Sequence, residues 1–384
     1  MGIISHFFIF VSMNIKDQIN EQTVKLSKEH RHLLIQHPTS SGKGKRVAMC
    51  IAESKSPKKW LVCVPEIAQI ANYKEDLVKH GYDWLLKDKI HDIICYASLK
   101  NYENTSYNLH FNECHRMSEF RTDVAQTIEF DKIISDSATI NEEILERLWN
   151  IEPPHNYKIT FEEAIKLELI PQPTLNLVSI LLDNTKKDYE WKFKDKIVKV
   201  TQQDYYNKLS DSIKYWQNQH NSGRLIWQKN KMLQLSIQRK RWLSACKTEK
   251  AKEIINKLTF ENKRFICFTG SVEQATILGG NKCINATKRK KNNLKIIEDF
   301  NNCIENSIYS CSMAIEGMNF VNMQAGIIVQ LDKEQRLPIQ KIGRILRDKH
   351  PEIYIIYVKN TQDEKYLNEF LNTSGIKKEF IKNL

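Results

Sequence analysis

Short apolar runs, each separated from the next by a polar, helix-compatible stretch, occur in two rounds along this 384-residue chain. Continuous apolar strands that alternate with helices are typical of parallel sheets covered on both faces. The pattern therefore predicts two α/β lobes of similar size. The predicted strands of the first round are Leu33–Ile35, Trp60–Val64, Ile93–Tyr96, Tyr107–Phe111 and Ile133–Ile134. Those of the second round are Arg264–Phe268, Cys283–Asn285, Ser307–Cys311, Gly326–Leu331 and Ile353–Val358.

A segment of different amino-acid composition lies between the two rounds. Prolines concentrate in residues 150–182, and residues 184–248 are polar, basic and rich in tryptophan. We predict an N-terminal extension over 1–16, a first lobe over 17–150, a linker with a basic, mostly helical insertion over 151–249, and a second lobe over 250–384. Within the insertion, Lys229–Arg241 carries apolar residues at helical spacing. This helix could dock on a lobe, lie along a nucleic-acid backbone, or do both with different faces.

The charge balance is strongly basic, with a net charge of +12 and a pI near 9.1. Such a balance favours a polyanionic partner such as nucleic acid, although a soluble lysine-rich protein without that partner would show it too. The nine cysteines form no Cys-x-x-Cys pair, and several lie in apolar runs. We therefore expect buried thiols in a reducing compartment and no zinc site.

Membrane insertion is not expected from the sequence. No segment reaches the roughly 20 apolar residues that a membrane span needs. Ile3–Val11 is apolar but lacks a basic flank and a small-residue cleavage site, so a signal peptide is not expected. Residues 1–12 could be an upstream extension of the reading frame, with translation starting at Met13. We expect a cytoplasmic protein without a membrane partner.

The first predicted strand is followed by a short loop of small and basic residues. It runs Thr39-Ser40-Ser41-Gly42-Lys43-Gly44-Lys45. A flexible loop between a strand and a helix turns backbone N–H groups toward a triphosphate, and a lysine bridges the terminal phosphates. The loop departs from the usual pattern at Ser40, which replaces a glycine. It departs again at Gly44, where a Ser or Thr hydroxyl would ligate Mg²⁺.

Two polar clusters follow later strands of the first lobe. Asn112-Glu113-Cys114-His115 closes the fourth predicted strand. Two adjacent carboxylates in such a place would hold a metal through water and polarise the attacking water. Asn112 is an amide, whereas Glu113 keeps the role of base. Ser137-Ala138-Thr139 follows the fifth strand, where hydroxyl groups could link the site to movement of the lobes.

The second lobe carries two further clusters. Glu316-Gly317-Met318-Asn319 follows the strand that ends at Cys311, and Gln340–Arg347 has the sequence QKIGRILR. Arg344 and Arg347 are three residues apart, so they share one face of a helix. Two guanidinium groups on one face can reach a γ-phosphate, as arginine fingers do.

Taken in order, these clusters resemble the conserved motifs of the superfamily 2 helicase-like ATPases of the DEAD/DEAH type. Asn112–His115 looks like a DECH-type motif II, and Gln340–Arg347 is a close match to the QRxGRxxR of motif VI. The other matching segments, all within residues 30–360, are Thr39–Lys43, Val64–Glu66, Ser137–Thr139, Phe268–Ser271 and Glu316–Asn319. The compact size and lysine-rich character are similar to versions carried by tailed phages, whose proteins would lie in the host cytoplasm.

The resemblance implies two RecA-like P-loop lobes with ATP and Mg²⁺ as cofactors between them. It implies that Glu113 activates water, that Asn112 holds the metal weakly through water, and that Gln340, Arg344 and Arg347 act from the second lobe. Nucleotide contacts would come from Thr39, Ser40, Ser41, Gly42, Lys43, Gly44, Lys45, Gly317 and Asn319. Ser137 and Thr139 would couple the lobes, and Pro65, Ser98, Thr269, Ser271, Glu316 and Gly317 would lie along nucleic acid. Contacts would go mainly to phosphates, with DNA favoured over RNA and a monomer as the working form.

The departures at Gly44 and Asn112 leave two hypotheses of different class. The first is an ATP-driven translocase or helicase in DNA replication, recombination or repair. The second is a nucleotide-gated nucleic-acid-binding protein with little or no hydrolysis. The retained Lys43, Glu113 and arginines favour the first. A metabolic P-loop kinase would explain neither the second lobe nor the Gln340–Arg347 octet.

Overall fold

The structure, a computed structural model, describes residues 14–193, 196–285, 290–311, 320–332, 336–346, 348–374 and 376–384. Several sequence predictions lie outside these residues. They are the N-terminal run up to Met13, the Glu316–Asn319 cluster and Arg347. The chain divides into two compact units, and the first unit ends at Ile170 while the second begins at Pro171.

Unit 1 is built on a six-stranded parallel sheet in the order β3-β2-β4-β5-β1-β6. Its strands are β1 (His32–Gln36), β2 (Trp60–Val64), β3 (Ile90–Cys95), β4 (Asn108–Asn112), β5 (Ile133–Ser137) and β6 (His155–Lys158). Its helices are α1 (Ile15–Glu29), α2 (Lys43–Glu53), α3 (Ala68–Lys79), α4 (Leu85–Asp88), α5 (Glu119–Gln126), α6 (Glu142–Ile151) and α7 (Phe161–Lys166).

The strands of unit 1 are apolar along their length because both faces of the sheet are covered. Side chains alternate between the faces of a strand. Leu34 and Leu61 pack in one core cluster, whereas Leu33 and Val62 pack in another. All four side chains are fully buried. This two-sided burial is what the continuous apolar runs predict.

Unit 2 contains a seven-stranded parallel sheet in the order β11-β12-β10-β13-β14-β7-β15. Its strands are β7 (Thr174–Ile180), β10 (Phe265–Thr269), β11 (Cys283–Ile284), β12 (Ser307–Cys311), β13 (Ala325–Ile328), β14 (Glu352–Val358) and β15 (Ile381–Asn383). Its helices outside the insertion are α10 (Thr248–Phe260), α11 (Val272–Gly279), α12 (Lys290–Asn301), α13 (Arg336–Ile345) and α14 (Gln362–Ser374).

The basic insertion belongs to unit 2 and forms a β-hairpin followed by two long helices. Antiparallel β8 (Tyr189–Phe193) and β9 (Lys196–Val200) precede α8 (Gln202–Gly223) and α9 (Ile226–Cys246). The two helices run antiparallel, because Tyr205 near the start of α8 packs on Trp242 near the end of α9. We call this pair the helical hairpin. Leu243 of α9 packs in one cluster with Val358 of β14, so the hairpin rests on the second sheet.

The two-lobed α/β prediction is confirmed, and a strand is present at each of the ten predicted positions. The segment 151–182, predicted to be part of the linker, instead contributes β6 to the first sheet and β7 to the second. The four prolines that suggested a linker, at 153, 154, 171 and 173, flank these strands without interrupting them. The mostly helical character of the insertion is observed, with the β8–β9 hairpin added.

The nine cysteines are all among the described residues and are free thiols. No helix in the described part of the chain is both long and apolar enough to cross a membrane.

The buried His32 should make unit 1 sensitive to acid. Its Nδ1 lies 2.7 Å from the Glu152 carbonyl oxygen and its Nε2 lies 2.8 Å from Ser135 Oγ. Burial lowers the pKa of His32 to about 4, against a smaller opposing effect of the Glu152 carbonyl. As the pH falls, His32 of the unfolded chain therefore takes up a proton near the ordinary pKa of 6.5. In the folded chain the same ring takes up a proton only near pH 4. Stability is complete above that window and falls as pH drops through it.

We expect this histidine alone to cost unit 1 about 1.4 kcal/mol of unfolding free energy per pH unit inside that window. Urea unfolding between pH 7 and 4, which is roughly the titration range of a histidine, measures the slope of the unfolding free energy against pH. His32→Gln should flatten the slope, and His91→Gln, which removes an exposed histidine of the same unit, should not. Equal slopes for the wild type and His32→Gln would contradict the prediction.

Candidate functional site

The loop between β1 and α2 has the backbone shape of a phosphate loop. Ser40 and Gly42 both adopt left-handed conformations, with φ of 70° and 91°. Glycine adopts such angles at no steric cost, whereas serine bears a penalty. Gly42 is the N-cap of α2 and supplies no side-chain cap, so the N–H groups of the first turn face the loop. A helix N-terminus of this kind favours an anionic group.

A buried cation supports the loop from beneath. Arg46 of α2 is almost fully buried. Its Nε donates to Asn20 Oδ1 at 3.1 Å, and its Nη1 donates to His37 Nδ1 at 3.1 Å. Burial, followed by the charges of Arg46 and Lys43, lowers the pKa of His37 to about 3. The histidine therefore stays neutral and accepts from Arg46 while holding the start of the loop in place.

Lys43, the first residue of α2, places its ammonium group among the carboxylates of the site. Its Nζ lies 3.8 Å from Glu113 Oε1 and 4.0 Å from Asp136 Oδ1. The residue is 9% exposed, and its buried Nζ makes no hydrogen bond to any of the described residues. A buried charged donor without a hydrogen bond is costly unless a ligand completes it. The terminal phosphates of a nucleotide are groups of the right charge and geometry.

Asn112 and Glu113 lie where β4 ends. Glu113 has φ 50° and ψ 54°, a left-handed conformation that is rare outside glycine. Such a residue stores about 1–3 kcal/mol of strain, and outliers of this kind cluster at active sites. The bend directs the Glu113 carboxylate toward Lys43 of the neighbouring phosphate loop. Tyr96 donates a 3.0 Å hydrogen bond to the Asn112 carbonyl and so fixes the end of the strand.

Asp136 is a buried carboxylate on β5, between the strand of the phosphate loop and the strand of Glu113. It is 2% exposed. The register of the sheet pairs it directly with Asn112, whose Nδ2 donates to Asp136 Oδ2 at 3.1 Å. His110 Nε2 lies 2.9 Å from the same oxygen. The other oxygen, Oδ1, faces Lys43. This residue was not predicted from the sequence, although an aspartate two residues after the predicted strand Ile133–Ile134 is an available signal.

His115 and Ser137 connect the end of β4 with the end of β5. His115 Nδ1 lies 2.9 Å from Ser137 Oγ and 3.4 Å from Glu113 Oε2. The Ser137 hydroxyl donates to the Thr139 carbonyl at 2.9 Å, and the Thr139 N–H donates back to it at 3.3 Å. The two predicted coupling residues thus contact each other and reach Glu113 through one histidine. Coupling itself stays a prediction.

Pro65 and Ser98, two predicted nucleic-acid contacts, follow β2 and β3 at the same carboxyl edge of the sheet as the phosphate loop. Both are partly exposed. Ser98 Oγ lies 3.3 Å from Cys95 Sγ. Ligands of open parallel sheets bind at this edge. The placement is compatible with the predicted role, which no contact in the structure tests.

In unit 2 the structure describes only part of the predicted set. Thr269 is buried, and its hydroxyl oxygen lies 3.1 and 3.2 Å from the carbonyl oxygens of Ser271 and Ser310, which share its one proton. The Ser271 hydroxyl caps α11 by accepting from the Gln274 N–H at 3.1 Å. Both hydroxyls therefore serve the fold, and a nucleic-acid contact of this turn would go through its backbone.

The helix that carries the arginine motif is fixed tightly against its sheet. Gln340 and half-buried Arg344 lie in α13. A Cβ atom added to Gly326 of β13 would lie 2.0 Å from Ile345 Cδ1, so a glycine is needed for this approach. Lys341 of the same helix is buried and donates to Asp332 Oδ2 at 3.1 Å. The contacts of Gln340, Arg344 and Arg347 with a nucleotide stay predictions.

The donor set of the site fits a nucleotide better than a protein-held metal. No group of three His, Cys, Asp or Glu side chains able to hold a metal ion occurs among the described residues. Mg²⁺ in nucleotide enzymes needs only one or two carboxylates, because phosphates and waters supply the rest. Gly44 has no side chain to offer, and Asn112 offers an amide that is bonded to Asp136. Lys43 and the N-terminus of α2 would hold the phosphates.

Comparisons with known proteins agree with this fold. Residues 246–349 match the family model of the helicase conserved C-terminal domain. The structure of Dbp5 from S. cerevisiae bound to RNA and ADP BeF3 is similar with a TM-score of 0.61 and 12% identity, over 96% of this chain and 89% of that one. The helicase domain of Hef from Pyrococcus furiosus is similar with a TM-score of 0.51 and 16% identity, over 93% and 98%.

At these identities the structural likeness shows a fold of two RecA-like lobes and no more. No curated protein sequence matches the chain.

Proposed function

We propose that this chain is a nucleic-acid-stimulated ATPase that moves on its track as a translocase or helicase. The observation that carries the proposal is the convergence of Lys43, Glu113 and Asp136 at the carboxyl edge of one sheet, beside a phosphate loop. The helicase C-terminal match of unit 2 supports the same activity. The ADP BeF3 and RNA in the yeast structure belong to that protein and suggest the ligand classes to test here.

In the proposed reaction a water oxygen attacks the γ-phosphorus of ATP. The bond from that phosphorus to the β–γ bridging oxygen breaks, so ADP and phosphate leave, and Glu113 accepts a proton of the water. Lys43 neutralises charge on the terminal phosphates. A bound Mg²⁺ would supply further charge neutralisation on the β- and γ-phosphate oxygens. Gln340, Arg344 and Arg347 are the proposed contacts of the γ-phosphate from unit 2.

The helical hairpin is the proposed element of unit 2 that contacts the track. Residues 202–246, which span the hairpin, contain eight Lys and Arg against two Asp and Glu, so they contribute half of the net charge of +12. Its free end also exposes aromatic rings, since Tyr215 is 55% and Trp227 is 56% exposed. Basic residues interleaved with exposed aromatic rings are typical of surfaces that bind single strands by phosphate contacts and base stacking.

Hydrolysis should be stimulated by nucleic acid. We expect ATP turnover with Mg²⁺ to rise at least about tenfold on addition of the right track, because engagement of nucleic acid completes the catalytic arrangement in enzymes that close on a substrate. The measurement compares single-stranded, forked and duplex DNA with the corresponding RNAs. DNA is the proposed track, and preferential stimulation by RNA would correct that choice.

The second candidate is a nucleotide-gated nucleic-acid-binding protein, favoured by Gly44 and Asn112 where metal contacts are expected. It predicts that nucleotide changes the affinity for nucleic acid without turnover. A wild-type rate no higher than that of a variant lacking the base, together with nucleotide-dependent binding, would reject the motor in favour of this candidate.

A further inference from the structure

We propose that Asp136 supplies the Mg²⁺ carboxylate that the amide Asn112 cannot supply, so that the metal-binding charge lies on β5 and not at the end of the neighbouring strand β4. The inference rests on the proposed nucleotide site. It assigns to Asp136 a direct or water-mediated contact with the Mg²⁺ that accompanies ATP.

The displacement between the two positions is small. Asn112 and Asp136 are direct partners in the parallel register of β4 and β5, and their side chains are joined by the 3.1 Å hydrogen bond from Nδ2 to Oδ2. Adjacent strands lie about 4.8 Å apart. A carboxylate at 136 can therefore reach the region served by a carboxylate at 112 without any change in the backbone.

The orientation of Asp136 is fixed by a chain of hydrogen bonds behind it. Because a carboxylate can only accept, His110 Nε2 carries the proton that is donated to Asp136 Oδ2 at 2.9 Å. The other ring nitrogen, Nδ1, lies 3.1 Å from the Tyr73 hydroxyl oxygen. These bonds hold Oδ2 from behind, and Oδ1 faces the phosphate loop, 4.0 Å from Lys43 Nζ. Carboxylates that ligate a metal with one oxygen are typically held by hydrogen bonds from neighbouring side chains.

A second observation points to a ligand at this place. Lys43 Nζ is buried, makes no hydrogen bond to the described residues and lies between Glu113 and Asp136. Glu113 and Asp136 thus place two carboxylates beside this single ammonium group. The phosphates that Lys43 would bind are anions, so a divalent cation is needed to hold them beside Glu113 and Asp136.

The substitution at 112 has a physical reason under this inference. Aspartates at both 112 and 136 would place two buried carboxylates within hydrogen-bonding distance, and one of them would have to take up a proton. Asn112 avoids the repulsion and donates to Asp136 instead. The two residues therefore form a matched pair in which only one member carries charge.

The test is the effect of Mg²⁺ on nucleotide affinity, which does not depend on turnover. Calorimetric titration of a non-hydrolysable ATP analogue, with Mg²⁺ and with EDTA, is compared in the wild type, Asp136→Asn and the charge swap Asn112→Asp/Asp136→Asn. We expect Mg²⁺ to tighten binding in the wild type. Asp136→Asn should reduce this effect of Mg²⁺. The same variant should weaken the binding of Mn²⁺, a paramagnetic probe that replaces Mg²⁺ in the nucleotide complex, by roughly 10- to 100-fold. The swap should recover most of this loss.

Asp131→Asn is the matched control, because it removes a carboxylate just before the opposite end of β5, where the side chain bonds Ser56 and Lys58. It should leave the Mg²⁺ effect unchanged. A purely structural role of Asp136 would weaken binding equally with Mg²⁺ and with EDTA, would lower the melting temperature, and would not be rescued by the swap. That result, or a wild-type affinity that ignores Mg²⁺, overturns the inference.

Nucleic-acid-stimulated hydrolysis is measured on the same wild-type preparation to separate the two proposals. Intact Mg²⁺-dependent nucleotide binding without stimulated turnover would reject the motor and leave the role of Asp136 standing. Stimulated turnover, together with an unchanged effect of Mg²⁺ on nucleotide affinity in Asp136→Asn, would support the motor and reject the role of Asp136.

Discussion

Glu113→Gln should lower the rate of ATP hydrolysis by about 10²- to 10⁴-fold, the usual contribution of a positioned general base. Glutamine keeps the length and volume of the side chain but cannot accept the proton of the attacking water. The strained backbone of Glu113, at φ 50°, already aims this side chain at the phosphate loop. Because Asp136 remains near Lys43, the lysine keeps a carboxylate neighbour and nucleotide affinity should change only a few-fold.

The measurement is steady-state phosphate release with saturating nucleic acid, together with the affinity for a non-hydrolysable ATP analogue. Glu53→Gln is the matched control, since it makes the same chemical change at the exposed end of α2, where the carboxylate pairs only with surface residues such as Lys28. Such surface pairs are worth little. A Glu113→Gln enzyme that hydrolyses at the wild-type rate would show that the water is activated elsewhere. Loss of affinity equal to the loss of rate would assign Glu113 to binding.

The strands were the most predictable part of the fold, because burial on both faces leaves a local apolar signature. The predicted limits of β2 (Trp60–Val64) and β12 (Ser307–Cys311) are those observed. β6 (His155–Lys158) escaped prediction because an edge strand is covered less and can be polar, as His-Asn-Tyr-Lys is. β7 is buried over Leu175–Val178, but Asn176 interrupts its apolar pattern and the prolines just before it suggested a linker.

The candidate site was predictable where it follows the chain and was missed where it crosses the sheet. The loop at Lys43 and the strand end at Glu113 are local patterns, and their proximity follows from the parallel sheet alone. Asp136 joins them only through the order of β4, β5 and β1 and through the register that pairs it with Asn112. A lone aspartate inside a strand does not reveal which residue it will face.

The same limit applies to Thr269, which the motif order places on the nucleic-acid path and the structure buries. Sequence order indicates which turn is involved. It does not show whether the side chain or the backbone of that turn faces outward, because this depends on how β10 and β12 are paired. The hydroxyl of Thr269 bonds Ser310 at the end of β12 and is thereby removed from the surface.

Charge reversal at the free end of the helical hairpin should weaken nucleic-acid binding by roughly 100-fold near physiological salt, as expected for the loss of about three phosphate contacts. The variant is Lys214→Glu/Lys229→Glu/Lys231→Glu, which changes three exposed lysines near the exposed ring of Trp227. The slope of log affinity against log salt concentration should fall by about 2 to 3. Nucleotide affinity should stay unchanged, because none of the proposed nucleotide contacts lies in α8 or α9.

Net charge alone could produce part of this loss, so the control must carry the same charge. Lys365→Glu/Lys377→Glu/Lys382→Glu changes three exposed lysines of unit 2 that lie outside the insertion. Long-range attraction would fall equally in both triple variants, whereas direct contacts are lost only in the hairpin variant. Fluorescence anisotropy with a labelled single strand at several salt concentrations separates the two contributions. Equal losses and equal slopes would remove the hairpin from the binding surface, and Trp227→Ala would then also leave affinity unchanged.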